Sequence, residues 1–138
     1  MAIANYHVSL KVLLRKEDEF LMLVDTSDDR LELPGGRIDE TEHKSPFEKI
    51  IAREVKEELG DAIRYRLGKI AFSYRRHFEN RGFHVLINVY EAEYLSGEIN
   101  ISDEHCGFKW VDPKKVVFKR EQFFSDEEYI AFKNYFNK

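Results

Sequence analysis

The chain has 138 residues, 43% of them hydrophobic and 35% charged, with a net charge of −4. This length is expected to fold as one domain over residues 1–138, and the acidic balance argues against nucleic acid as a partner. Eleven Phe and seven Tyr exclude a disordered chain, and the single Cys106 excludes an intramolecular disulfide and is read as a small core residue.

The start, Met1 to His7, lacks a basic segment followed by a long apolar run, so no signal peptide is expected. No stretch approaches the roughly 20 apolar residues of a membrane span. No membrane partner and a cytoplasmic location are therefore the expectation. Tyr6 to Arg15 is rich in Val and Leu and predicts a strand, followed by the polar turn Lys16-Glu17-Asp18-Glu19. Phe20 to Val24 predicts a second, buried strand, and Leu31-Glu32-Leu33 a short third one. Leu33-Pro34-Gly35-Gly36 reads as a glycine turn where backbone can approach a ligand closely.

The first helix is expected to start at Ser45 as N-cap, with Pro46 in the first helical position and Glu48 completing a capping box. Gly60 supplies its stop, and Phe47, Ile50, Ile51, Val55 and Leu59 its packing face. Ala62 to Phe78 and Phe83 to Leu95 predict two long strands joined by a turn of roughly four residues ending at Gly82. Phe108 to Val111 predicts a further strand, and Pro113 to Val116 a short helix. Ser125 caps a C-terminal helix whose aromatic residues are expected to cover the sheet in cis, the alternative being a homodimer surface. The order β-β-β-α-β-β-β-α implies an α/β protein, an α/β/α sandwich with a mixed central sheet.

Within the first helix, Glu54, Glu57 and Glu58 stand at i, i+3 and i+4, on one side of the helix. Like charges so placed repel, and an ordinary core helix would continue the row of Phe47, Ile50 and Ile51 with apolar residues. A hard divalent cation among the carboxylates resolves the conflict, because Mg²⁺ and Mn²⁺ take oxygen ligands. The alternative on spacing alone is a solvated acidic face.

Gly36 is followed after five residues by Glu42, and Arg53-Glu54-Val55-Lys56-Glu57-Glu58-Leu59-Gly60 completes a longer pattern. Together with Pro34-Gly35-Gly36 these residues resemble the box of the Nudix hydrolases. Two departures stand out: the gap between Glu42 and Arg53 is ten residues where the family has seven, and Asp61 replaces an apolar residue. Glu42, Glu40 or neither fills the first acidic position, whereas the helical carboxylates keep their register.

The resemblance implies a Nudix-type sandwich and a Mg²⁺-dependent pyrophosphohydrolase, with Mn²⁺ as a substitute. It implies Glu54, Glu57, Glu58 and the Gly36 carbonyl as metal ligands, with Arg53 orienting the cluster. It also implies a late acidic residue, for which Glu104 in Glu104-His105 before Trp110-Val111 is the candidate, as ligand or general base. The expected partner is a small nucleotide: a nucleoside triphosphate split to monophosphate and pyrophosphate, or a dinucleoside polyphosphate or nucleotide sugar. A non-catalytic nucleotide-binding module is the reading from another class. No proline occurs between Pro46 and Pro113, which counts against ADP-ribose. For substrate contacts the candidates are Arg37 beside the glycine turn and Tyr74 and Arg76 on one face of their strand.

Overall fold

A computed structural model describes residues 1–25, 28–103 and 105–137, so the expectation for Glu104, like that for the Cys106 side chain, lies outside the described residues. Among these, seven strands form one mixed sheet: β1 (Tyr6–Lys16), β2 (Glu19–Asp25), β3 (Leu31–Glu32), β4 (Gly35–Arg37), β5 (Arg64–Phe78), β6 (Phe83–Ser96) and β7 (His105–Val111). The central path is β3-β2-β1-β6-β5, with β4 added to β1 and β7 to β2. β1 and β6 run parallel, from Tyr6 opposite His84 to Arg15 opposite Glu93, and the remaining pairs are antiparallel.

Two helices cover the two faces, because β1 is apolar on both. Leu10, Val12 and Leu14 pack under α1 (Phe47–Leu59) through Ile50, Ile51, Val55 and Leu59. Leu13 lies on the other side with Met22, Tyr74, Ile87 and Phe132 of α2 (Asp126–Phe136). The expected α/β/α sandwich is what the chain adopts. The aromatic C-terminal helix packs in cis, with Phe132 5.1 Å from Phe72 and 5.0 Å from Phe123. No helix among the described residues is long and apolar enough to cross a membrane.

Several local readings change. The helix α1 begins one residue later than expected: Pro46 is the N-cap, with no side-chain cap, and its carbonyl accepts from Lys49 N at 3.1 Å. Phe47 is 47% exposed and drops out of the packing face. Gly35–Arg37 is a strand rather than a turn, since it pairs with Ser9, Leu10 and Lys11 of β1. The predicted helix from Pro113 is only a turn, closed by Lys115 N donating to the Asp112 carbonyl, and a 3₁₀ turn forms later at Arg120–Gln122. The hairpin between β5 and β6 turns at Glu79–Gly82 as expected, with Gly82 left-handed at φ 74°. Ser125 caps α2 by accepting from Glu128 N at 3.3 Å.

Candidate active site

The pairing of β4 with β1 carries the glycine segment across the C-terminal half of α1. Gly35 N–H donates to Glu58 Oε2 at 2.8 Å. A Cβ on Gly36 would lie 2.6 Å from Glu54 Oε1, so the strand presses its bare backbone against that carboxylate. Glu54 is 8% exposed, and burial raises its pKa, with Arg53 pulling the other way. A charge this desolvated needs a counter-charge.

Arg53 is the hub of the cluster. Its Nη2 donates to Glu42 Oε1 at 2.7 Å and to Glu54 Oε1 at 2.8 Å, and its Nη1 to Glu57 Oε2 at 3.0 Å. Nε donates to the other Glu42 oxygen, which makes the Glu42 contact bidentate. Glu42 thus reaches Arg53 despite the longer gap. The residues after Glu42 fold into a turn closed from Ser45 N to the Glu42 carbonyl, while a 3₁₀ turn at Glu40–Glu42 holds the carboxylate, whose Oε1 accepts from Asp39 N. The hydrogen bonds from Arg53 hold the Glu42 carboxyl below the usual range, and the same carboxylates raise the pKa of Arg53. Groups that orient ligands from behind are typically worth 10- to 100-fold. Glu42→Ala is therefore expected to lower kcat about tenfold with the melting temperature little changed; equal kcat would show that Arg53 needs no such anchor.

Among the described residues no three His, Cys, Asp or Glu side chains converge on one point, because Arg53 holds Glu54 and Glu57 while Gly35 holds Glu58. His105 Nε2 lies 4.0 Å from Glu58 Oε1. Among the described residues the donors gathered here are three carboxylates and strand carbonyls, hard oxygens, with the His105 imidazole beside Glu58. The carboxylate and carbonyl oxygens fit Mg²⁺ or Mn²⁺.

Beside Gly36 a cleft of about 230 Å³ opens on the face covered by α2, floored by Ser9, Val85 and Ile87. Arg37 and Arg76 both line it, with Lys11, Arg81, Phe78 and Phe83. Tyr74 does not. It is a correction to the expected substrate set: 3% exposed, it packs 5.8 Å from Phe132, and burial pushes its hydroxyl pKa well up. Lys11 was legible only as the single charge inside Val8 to Leu14. A second cleft of about 280 Å³, between Arg15, Arg66, Glu91 and Tyr135, contains none of the box residues.

Behind the first cleft runs a buried network. Arg76 Nε donates to Glu128 Oε1 at 2.8 Å and Nη2 to Glu32 at 3.2 Å, while Lys11 Nζ donates to Glu32 Oε2 at 3.4 Å and to the Leu33 carbonyl at 3.1 Å. Burial pushes the Glu128 carboxyl up, with Arg76 opposing. Burial also works on Glu32, but Lys11 and Arg76 outweigh it and hold that carboxyl below its usual range. Folded Glu32 therefore releases its proton more readily than the unfolded chain. Its stabilisation is complete above the ordinary carboxylate pKa and is lost as pH falls through the lowered value. Glu32→Gln should flatten the stability curve on the acid side, read from melts between about pH 3 and pH 6. Parallel curves for the two proteins would uncouple Glu32 from the network.

The NUDIX domain model matches residues 5–132. The chain belongs to the Nudix family. Nudix hydrolases act on phosphorus anhydrides, and the chain is an enzyme of that class. Its fold is similar to a MutT protein from Methanosarcina mazei Go1 (TM-score 0.71, 24% identity, 99% of this chain and 94% of that one). It is also similar to a MutT Nudix hydrolase from Burkholderia pseudomallei (0.69, 22%, 94% and 97%). An ADP-ribose pyrophosphatase from Streptococcus suis 89-1591 is more distant (0.59, 18%, 80% and 76%). No curated protein matches the chain.

Proposed function

We propose that this Nudix protein is a Mg²⁺-dependent pyrophosphohydrolase that converts a nucleoside triphosphate to a monophosphate and pyrophosphate. The observation that supports this most is the adjacency of two things at Gly36: the carboxylate row of α1 on one side and a cleft lined by four cationic and two Phe side chains on the other. A nucleotide substrate uses both: carboxylates that hold a divalent ion against the anhydride, and a cleft whose cations meet phosphates and whose rings suit a base.

Glu54, Glu57, Glu58 and the Gly36 carbonyl would hold the metal, with Glu104 as a further ligand or the base. The ion would neutralise the phosphates and lower the pKa of attacking water. The chain's own part is positional. Arg53 fixes Glu54 and Glu57, Gly35 N–H fixes Glu58, and Arg37 at the end of the glycine strand would meet phosphate oxygens. Water attacks one phosphorus, the anhydride P–O bond breaks, and the water's proton passes to a carboxylate. Residues 1–138 would act as one domain, and a cytoplasmic setting, where free nucleotides are found, belongs to the same reading.

The test is a product-resolved panel with Mg²⁺ and with chelator: triphosphates, dinucleoside polyphosphates, ADP-ribose and nucleotide sugars. Metal-dependent release of a monophosphate from the triphosphates is the expected result. Metal-dependent turnover of another class alone would reassign the substrate. Silence from folded protein that binds Mg²⁺ would favour a binding module.

A further inference from the structure

The cleft beside Gly36 holds two kinds of cation. Arg37 Nη1 lies 3.1 Å from His7 Nδ1 and its guanidinium 5.7 Å from the Phe83 ring, and Arg81 lies 6.0 Å from the Phe78 ring. Neither forms an ion pair among the described residues. Lys11 and Arg76, by contrast, are already met by Glu32 and Glu128. An engaged cation offers a phosphate little net field, yet it still offers N–H groups: Lys11 carries three, of which two are spent on Glu32 and the Leu33 carbonyl.

The region between them suits a flat ring. Val85 and Ile87 give an apolar floor, and the Phe78 and Phe83 rings stack at 5.3 Å with 25° between their planes. Resting on the pyrophosphohydrolase reading, we propose that Lys11 and Arg76 read the base and that Arg37 and Arg81 read the phosphates. The inner end is dominated by the Lys11 and Arg76 donors, since Glu32 does not line the cleft and Glu128 is 1% exposed, which leaves the Ser9 hydroxyl as the one side-chain acceptor among the lining residues. Donors pair with a carbonyl oxygen, which accepts, and oppose an amino group, which also donates. The preferred substrates are therefore nucleotides with a carbonyl where adenine and cytosine carry an amine: the 6-oxopurines and 4-oxopyrimidines. A donor left unpaired against an amine costs roughly 10- to 100-fold in kcat/KM.

The experiment compares GTP with ATP and UTP with CTP, pairs that differ in the base edge and share the triphosphate. Calorimetric titration of the four monophosphates gives the same comparison without turnover. The expected result is a 10- to 100-fold preference for GTP and UTP that falls to within about threefold of unity in Lys11→Met and survives in Lys11→Arg. Arg37→Gln should raise KM for all four alike and leave the ratios in place, which keeps the test open if Lys11→Met fails to fold. Equal or inverted ratios in the parent protein would overturn the base assignment while leaving the hydrolase reading standing. A preference intact in folded Lys11→Met would overturn it as well. No turnover of any triphosphate would remove triphosphates as the substrate and leave the hydrolase class to the wider panel, and the monophosphate titrations would then decide the base preference alone.

Discussion

Glu57→Gln is expected to lower kcat by about 10³-fold or more and to move the melting temperature by no more than about 2 °C. The side chain is 58% exposed, and its ion pair among the described residues is the i,i+4 contact with Arg53. Exposed pairs of that kind stabilise a helix by roughly 0.3–0.5 kcal/mol, so the fold loses almost nothing. The amide keeps the shape of the carboxylate and removes its charge. A divalent ion that loses one of three anionic ligands binds more weakly and polarises its water less, and a thousandfold change is about 4 kcal/mol, within what such an ion supplies. Turnover measured across a Mg²⁺ titration, beside thermal melts, separates the two effects. Unchanged turnover would remove Glu57 from the metal site.

Gly35→Ala and Gly36→Ala should fail in opposite ways. Gly35 has φ +142°, and a Cβ there would lie 2.2 Å from the Leu10 carbonyl oxygen and 2.6 Å from Lys11 Cα. These are backbone atoms of the central strand and cannot yield. The expected cost is about 3 kcal/mol or more, a fall in melting temperature of about 10 °C. At Gly36 the Cβ would meet the two Glu54 carboxylate oxygens at 2.6 and 2.8 Å. That group is the end of a flexible side chain, so the fold persists and the carboxylate moves. Displacement by about 1 Å at a reacting centre costs on the order of 10²-fold. Melts and kinetics on both variants check the pair; a stable, inactive Gly35→Ala with an unstable, active Gly36→Ala would reverse the assignment.

What was readable in the sequence was local. The helix α1, the hairpin at Glu79–Gly82 and the Ser125 cap are written in residues a few positions apart, and the box residues lie within one segment. The strand Gly35–Arg37 was not readable, because glycines carry no alternation and its partner is β1, some 26 residues earlier by the Ser9–Leu10–Lys11 register. The start of α1 was misplaced because Ser45 is drawn into the turn that closes on Glu42 and so cannot cap. The contact of Glu42 with Arg53 depended on how a ten-residue gap would coil, which spacing alone does not decide. Lys11, Glu32, Arg76 and Glu128 come from four separate segments, and nothing in the neighbourhood of any one of them announces the other three.

The parallel pairing of β1 with β6 has a consequence for how the molecule forms. Tyr6 meets His84, so the chain must close a loop of about 78 residues before the first strand gains its central partner. Synthesis at roughly 5–20 residues per second leaves that strand waiting for several seconds. During that time its leucines and valine between Leu10 and Leu14 have the antiparallel neighbours β2 and β4 and the helix α1 to shield them, while the edge that β6 will cover stays open. Assembly should therefore be slow for a protein of this size, with a window in which a nascent chain offers a sticky edge to other chains or to a chaperone.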